Sequence, residues 1–183
     1  DVLQTTLRSM QADLQTVLEF AHITWPTAPL AVLAEDASDG VLARLTDRLR
    51  LSNREAKAAE WLHAGVAAVG GGVDPATRPW SAVQRWVAHE HAGSLADLLR
   101  ARAARGRGQA APAAWLTAQV ARPRIEIDPP PLVNGAELLA AGVPPGKAVG
   151  TALARIRRLQ LDGVITTKAE AVAAANEHRP AAD

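Results

Sequence analysis

Four polar side chains recur at intervals of about one helical turn in the last third of the chain. Lys147, Thr151, Arg155 and Arg158 are separated by four, four and three residues. Because an α-helix repeats every 3.6 residues, these positions fall close to one line on a helix surface. A line of cations is suited to the phosphate groups of a nucleic acid. The spacing therefore predicts a phosphate-binding stripe, with Arg157 beside it.

A corner rich in glycine and proline precedes this stripe, from Gly142 to Gly146. Gly142 predicts a left-handed end to the preceding short helix, because only glycine adopts that conformation at little cost. Pro145 favours the first turn of the next helix, which we predict over about 145–161 and which Gly163 ends. The open N–H groups at the start of that helix, around Gly146, add hydrogen-bond donors for a phosphate.

Three capping-box patterns divide the chain into helices. Each is a short polar residue followed three positions later by glutamate: Ser52 and Glu55, Asn134 and Glu137, Thr167 and Glu170. The apolar residues between them recur with helical periodicity. The sequence therefore predicts an all-α fold, with a helical body over 1–125 and a smaller helical tail over 126–183. The stretch over 122–128 is predicted to be extended, and the proline run that follows it, before Leu132, stiffens the connection.

Two further groups of arginines are candidates for contact with RNA. Arg48, Arg50 and Arg54 surround the start of the helix that Ser52 caps. Arg105 and Arg107 lie in a turn that contains glycine. Both groups also suit an ordinary solvated surface, and the sequence leaves these two interpretations open.

Patterns that would indicate catalysis or a metal site are incomplete. The segment from Gly142 to Lys147 resembles a Walker A loop, but it is one residue short and has alanine at the position of the Mg²⁺-binding hydroxyl. His89 and His91 are two residues apart, so on a helix they point in different directions. No pair of metal-holding carboxylates follows the glycines at 70–72. We expect no catalytic residue, cofactor-binding residue or metal site in this chain.

Composition limits the class of protein. The chain has 183 residues, of which 48% are hydrophobic, and it carries 20 lysine and arginine against 19 aspartate and glutamate residues. The resulting net charge of +1 means that affinity for RNA must come from local clusters of cations. There is no cysteine, and no apolar run is long enough to cross a membrane. These features predict a cytoplasmic protein without a membrane partner.

The tail also carries a family resemblance. The pattern runs from Pro131-Leu132 through Gly135 and Leu138 to Gly142, Pro145-Gly146, Gly150, Gln160-Leu161, Gly163 and Thr167-x-x-Glu170-Ala171. It resembles the C-terminal tail of the bacterial tRNA nucleotidyltransferase/poly(A) polymerase family. The segment from Arg48 to Glu55 resembles the opening of a helix in the RNA-binding body of the same family. The likeness extends loosely over 29–175 and is strongest in the tail.

The resemblance implies a helical neck, body and tail that position RNA, with tRNA as the expected partner. Members of the family add CCA ends to tRNA or A tails to RNA. Their polymerase head, which uses Mg²⁺ and CTP or ATP, precedes the helical part and is not recognisable in this chain. We therefore expect the chain alone to be non-catalytic, with its head in the same full-length polypeptide or in another chain. The base-selecting Glu-Asp-x-x-Arg signature is also missing, because Ala-Ser-Asp follows Glu35-Asp36.

Two other functions remain open. The chain can be a non-enzymatic interaction module whose apolar helix faces dock a protein, with the arginines serving solubility. It can also be an independent helix-hairpin-helix-type binder of DNA or RNA that shares only the geometry of the corner. The sequence does not decide between CCA and poly(A) addition, which nucleotide is used, why the head is absent, or the oligomeric state.

Overall fold

The computed structural model describes Arg50 and residues 52–176. These residues form eight α-helices and one 3₁₀ turn, and they include no strand, so the all-α prediction is confirmed. The helices are α1 (Asn53–Gly70), α2 (Trp80–Val87), α3 (Ala92–Ala104), α4 (Ala110–Val120), α5 (Arg124–Ile127), α6 (Gly135–Ala140), α7 (Lys147–Leu161) and α8 (Lys168–Asn176). The predicted helices before Arg50 lie outside the described residues.

The chain divides into two compact units. Of the described residues, the first unit contains those up to Thr77 together with Trp86–Ala121, and the second contains Arg78–Arg85 and those from Arg122 onward. The domain boundary that the sequence predicts between residues 125 and 126 stays a prediction. None of the helices in the described part of the chain is both long and apolar enough to cross a bilayer.

The first unit is built on close contact between α1 and α3. Ser52 caps α1 as predicted, since its hydroxyl accepts from the Glu55 N–H at 3.3 Å while the Glu55 carboxylate accepts from the Ser52 N–H at 2.8 Å. Gly65 of α1 has no side chain, and a Cβ there would lie 2.7 Å from Leu95 Cδ2 of α3. Glycine therefore allows the two helices to approach closely. Leucines from α1, α3 and α4 fill the core, and those without exposure are Leu62, Leu95, Leu98 and Leu116.

An aromatic cluster of tryptophan and histidine lies in the same unit. The ring of Trp61 stacks on His89, with 4.0 Å between the centroids and 14° between the planes. Trp86 is buried, and its centroid is 5.1 Å from that of Trp61. Burial lowers the pKa of His89 below its ordinary value, His91 lowers it further by charge repulsion, and Glu90 opposes the shift. The folded state therefore favours the neutral imidazole of His89.

We expect acid to destabilise this unit because of His89. Unfolded His89 titrates near pH 6.5, whereas the folded residue has a lower pKa. As the pH falls through 6.5 the unfolded state binds more protons than the folded state, so stability is lost. Thermal melts at about pH 7.5, 6.5 and 5.5, a range around the ordinary pKa of histidine, should show a falling midpoint for the natural protein. His89→Gln should show a flatter profile.

Glu90→Gln is the matched variant for this experiment. Glu90 raises the pKa of His89, so its removal should make the loss of stability between pH 6.5 and 5.5 steeper. Equal profiles for His89→Gln and the natural protein would show that His89 is not the responsible group.

In the second unit, α6, α7 and α8 enclose a small apolar core. Its buried residues are Val133, Leu138, Val143, Ile156, Ile165, Ala171 and Ala175. The predicted capping boxes are confirmed at the starts of α6 and α8. The Asn134 side chain accepts from the Glu137 N–H at 3.0 Å, and the Thr167 hydroxyl accepts from the Glu170 N–H at 3.3 Å. In turn, the Glu137 carboxylate accepts from the Asn134 N–H, and the Glu170 carboxylate accepts from the Thr167 N–H.

Residues 78–85 join the second unit through hydrogen bonds from α2. The N–H and hydroxyl of Ser81 both donate to the Asp162 carboxylate at 2.8 Å. Gln84 Nε2 donates to Asp128 Oδ1 at 2.9 Å, and Trp80 Nε1 donates to the Ile127 carbonyl at 3.3 Å. The partners are 81, 44 and 47 positions apart in the sequence, so these bonds link distant segments of the chain.

Gly142 ends α6 in the predicted left-handed conformation, with φ of +89°. Its N–H donates to the Leu139 carbonyl and the Val143 N–H donates to the Leu138 carbonyl, both at 3.0 Å. This pair of bonds is the Schellman arrangement, which satisfies carbonyls at the helix end. It also places Val143 in the core with Leu138.

Two sequence predictions of local structure are wrong in detail. Helix α7 begins at Lys147 rather than Pro145, because Gly146 has φ of +88° and ψ of −135°, which is not helical. The stretch over 122–128 was expected to be extended, but it contains the one-turn helix α5. Ion pairs four residues apart, from Arg122 to Glu126 and from Arg124 to Asp128, stabilise that turn.

We expect two glycine-to-alanine substitutions in this unit to have opposite effects. Gly142→Ala should lower the free energy of unfolding by about 1 kcal/mol, because the Cβ of alanine is sterically strained at positive φ. Gly150→Ala should raise it by about 0.5–1 kcal/mol, because Gly150 lies inside α7 and a Cβ there meets no atom within 4 Å. Urea denaturation of both variants measures the difference. A stabilising Gly142→Ala would contradict the assigned turn.

Candidate nucleic-acid interface

Two cations of α7 face solvent without an ion-pair partner. Lys147 and Arg158 are both exposed, and neither side chain forms an ion pair or hydrogen bond with any described residue. They are eleven positions apart, which corresponds to about 16 Å along the helix at 1.5 Å per residue. Thr151 is exposed between them. These three members of the predicted stripe therefore share one accessible face.

Arg155 lies at the edge of this face and has a structural contact. Its Nη1 donates to the carbonyl of Ala174 at 2.9 Å, and the residue is half-buried. Ala174 belongs to the last turn of α8, where carbonyls have no partner within the helix. Arg155 thus ties α7 to the C-terminal end of α8. Its contact with RNA stays a prediction.

Arg157 points in another direction. Its Nη2 donates to Asp128 Oδ1 at 2.5 Å, and its Nη1 donates to the Pro129 carbonyl at 2.7 Å. Asp128 also accepts from Arg124 and Gln84, so one carboxylate organises several segments of the unit. Arg157 therefore holds the start of the tail in place, and whether it also contacts RNA stays a prediction.

Gly146 provides an open N-terminus for α7. It is the N-cap residue, it is exposed, and no side chain accepts a hydrogen bond from the first turn. The N–H groups of that turn have no partner within the helix, which favours an anion near Lys147.

The predicted arginines of the first unit have mixed surroundings. Arg54 is exposed and lies 3.7 Å from the Glu90 carboxylate, while Arg50 is exposed with φ of +53°. Arg105 and Arg107 are half-buried in the turn after α3, where the Arg107 carbonyl accepts from Arg102 at 3.0 Å. Arg48 lies outside the described residues. Contact of these arginines with RNA stays a prediction.

A groove of about 340 Å³ opens beside the cationic face of α7. Its walls come from the corner, from α7 and from the end of α8; they are Gly142, Val143, Pro144, Lys147, Ala148, Thr151, Ala152, Arg155, Ala174, Ala175 and Asn176. Both titratable groups among the described lining residues are cations, Lys147 and Arg155. Sequence reasoning missed the groove because α8 supplies one wall from more than 20 positions beyond the corner.

No three His, Cys, Asp or Glu residues within 52–176 converge as metal ligands. Comparison of the chain with models of protein families, with curated proteins and with solved structures gives no significant match.

We expect neighbouring arginines of α7 to differ in their effect on stability. Arg157→Ala should lower the free energy of unfolding by about 1–3 kcal/mol, because it removes charge-assisted bonds to Asp128 and Pro129. Arg158→Ala should change it by less than about 0.5 kcal/mol, since that side chain is exposed and contacts no described partner. Urea denaturation of the two variants is the measurement. Similar losses would mean that Arg157 has no anchoring role.

Proposed function

We propose that this chain binds structured RNA, with tRNA as the expected ligand, as the C-terminal portion of a CCA-adding tRNA nucleotidyltransferase or poly(A) polymerase. One observation supports it most directly: Lys147 and Arg158 lie on one exposed face of α7 without ion-pair partners among the described residues. Cations already held by carboxylates gain little from a phosphate, whereas these two keep their full charge for a ligand.

The resemblance of the tail to that polymerase family supports the choice of RNA. On this proposal the chain contributes binding and orientation, and nucleotide transfer belongs to a polymerase head with its own Mg²⁺ and CTP or ATP. Contacts to phosphates fix the position of RNA without reading sequence. Recognition of a folded RNA then depends on its shape. A cytoplasmic location is part of the same proposal.

The alternative is an interaction module in which the apolar surfaces dock a protein and the cations only keep the chain soluble. The two functions differ in what salt does. Phosphate binding releases counterions, so RNA affinity falls steeply as salt concentration rises. A protein-docking module has no reason to bind tRNA in this way.

We expect Lys147→Ala/Arg158→Ala to reduce the slope of log affinity for tRNA against log salt concentration by roughly 1.5–2 units, because each lost phosphate contact removes about 0.7–1 unit. The affinity at 0.1 M salt should fall more than about tenfold on the same scale. Fluorescence anisotropy of labelled tRNA over a salt series measures both quantities, and circular dichroism checks the fold.

Lys168→Gln is the matched control. It removes one positive charge from the same unit, but Lys168 is already paired with Glu137 at 2.5 Å. Its salt slope should stay close to that of the natural protein. Equal slopes for the double variant and the natural protein, with both folded, would disprove the proposal for this face.

A further inference from the structure

The lining of the groove beside α7 has three kinds of chemical group, and together they indicate one type of ligand. Its walls are mostly apolar, from Val143, Pro144 and the alanines of α7 and α8. Lys147 supplies a cation at the edge, without a partner among the described residues. Thr151 and Asn176 supply neutral polar groups whose side chains hydrogen-bond to no other described residue. An apolar site with a few converging polar groups is the usual form of a small-ligand site.

The charge of the lining selects an anionic ligand. Lys147 and Arg155 line the groove, and no acidic residue among those that the structure describes does so. Arg155 already donates to the Ala174 carbonyl at 2.9 Å, so Lys147 is the cation that remains for a ligand. The ligand must therefore carry an apolar body next to a single anionic group.

The size and polarity of the groove restrict the type of ligand further. The groove holds about 340 Å³, near the lower end of the roughly 300–1,000 Å³ typical of small-ligand sites. One turn of a docked α-helix, about 10–12 Å across with its side chains and about 5.4 Å long, has a larger volume than this groove. A saturated chain forms no hydrogen bond with Thr151 or Asn176, whereas the edge of a nucleobase offers donors and acceptors to both.

We propose that this groove receives one unstacked nucleotide of the bound RNA, with its base between α7 and the end of α8 and its phosphate on Lys147. The inference rests on the proposed RNA-binding function and adds a base-binding site to the phosphate contacts. Unstacked bases of loops and ends are the parts of RNA that proteins read most directly. Asn176 and Thr151 are the residues that contact the base edge.

The first test uses the natural full chain and two single-stranded probes. One is a 12-nucleotide oligoadenylate, and the other has the same backbone with abasic sites throughout. Base binding should make the oligoadenylate about tenfold tighter at equal salt concentration, since one bound base contributes on this scale. Both probes should keep the salt slope that depends on Lys147, because their phosphates are identical.

The second test fills the groove. Thr151→Leu and, separately, Ala152→Leu place a larger side chain in the lining and should reduce the difference between the two probes to less than about twofold, because they exclude the base. Ala154→Leu is the matched control, since Ala154 is an exposed residue of the same helix that does not line the groove. It should preserve the tenfold difference. Thr151 is exposed, so its variant remains informative if Ala152→Leu disturbs folding.

The outcomes separate the base site from the proposed function. Equal affinity for both probes, with a salt slope that still depends on Lys147, overturns the base site and leaves phosphate binding intact. No salt-dependent binding of either probe or of tRNA overturns both. If Thr151→Leu instead converts a dimer to a monomer in sedimentation, a second copy of the chain occupies the groove and the base site is wrong.

Discussion

The tail depends on the left-handed turn at Gly142. That turn lets two carbonyls of α6 accept hydrogen bonds from Gly142 and Val143, and it returns Val143 to the core beside Leu138. The chain is then directed through the prolines to Gly146, whose positive φ sets the first residue of α7. The exposed face of α7 and one wall of the groove both follow from this path. A residue with a Cβ at position 142 would disfavour this path of the chain, because it strains the left-handed turn with which the path begins.

The arginines of the second unit have different roles although they are close in sequence. Arg157 binds Asp128 and Pro129, and Arg155 binds the last turn of α8. Only Arg158 of this group extends into solvent without a partner among the described residues. A guanidinium has five donors in a fixed plane, so it satisfies carbonyls and carboxylates inside a fold as readily as phosphates outside it. A cluster of arginines in sequence is therefore a weaker sign of an RNA surface than an unpaired cation.

The proposed contacts divide recognition between two chemical groups of RNA. Under the proposal, the cations of α7 would bind phosphates, which carry no sequence information, and the groove would bind one base. The cations and one wall of the groove lie on α7, so on this proposal a single docking of RNA would engage both. The net charge of +1 fits this arrangement, because binding then relies on a local face rather than on a general attraction.

The sequence by itself determined the helical class, the three capping boxes, the left-handed end at Gly142 and the helix end before Gly163. These features depend on residues three or four positions apart, so the local order of residue types is enough to specify them. The same local reasoning placed the start of α7 two residues early. It also missed α5, a single turn that is stabilised by ion pairs between residues four positions apart.

Only the tertiary structure decided which cations are accessible. Arg155 and Arg157 are directed by partners 19 and 29 positions away, and the groove needs α8 beside α7. The helical repeat determines the direction in which a side chain leaves its helix, but it does not determine which residues of other segments that side chain contacts. The sequence therefore placed Lys147, Arg155 and Arg158 along one stripe. Contacts between distant segments separated the anchored Arg155 from Lys147 and Arg158, whose side chains have no partner among the described residues.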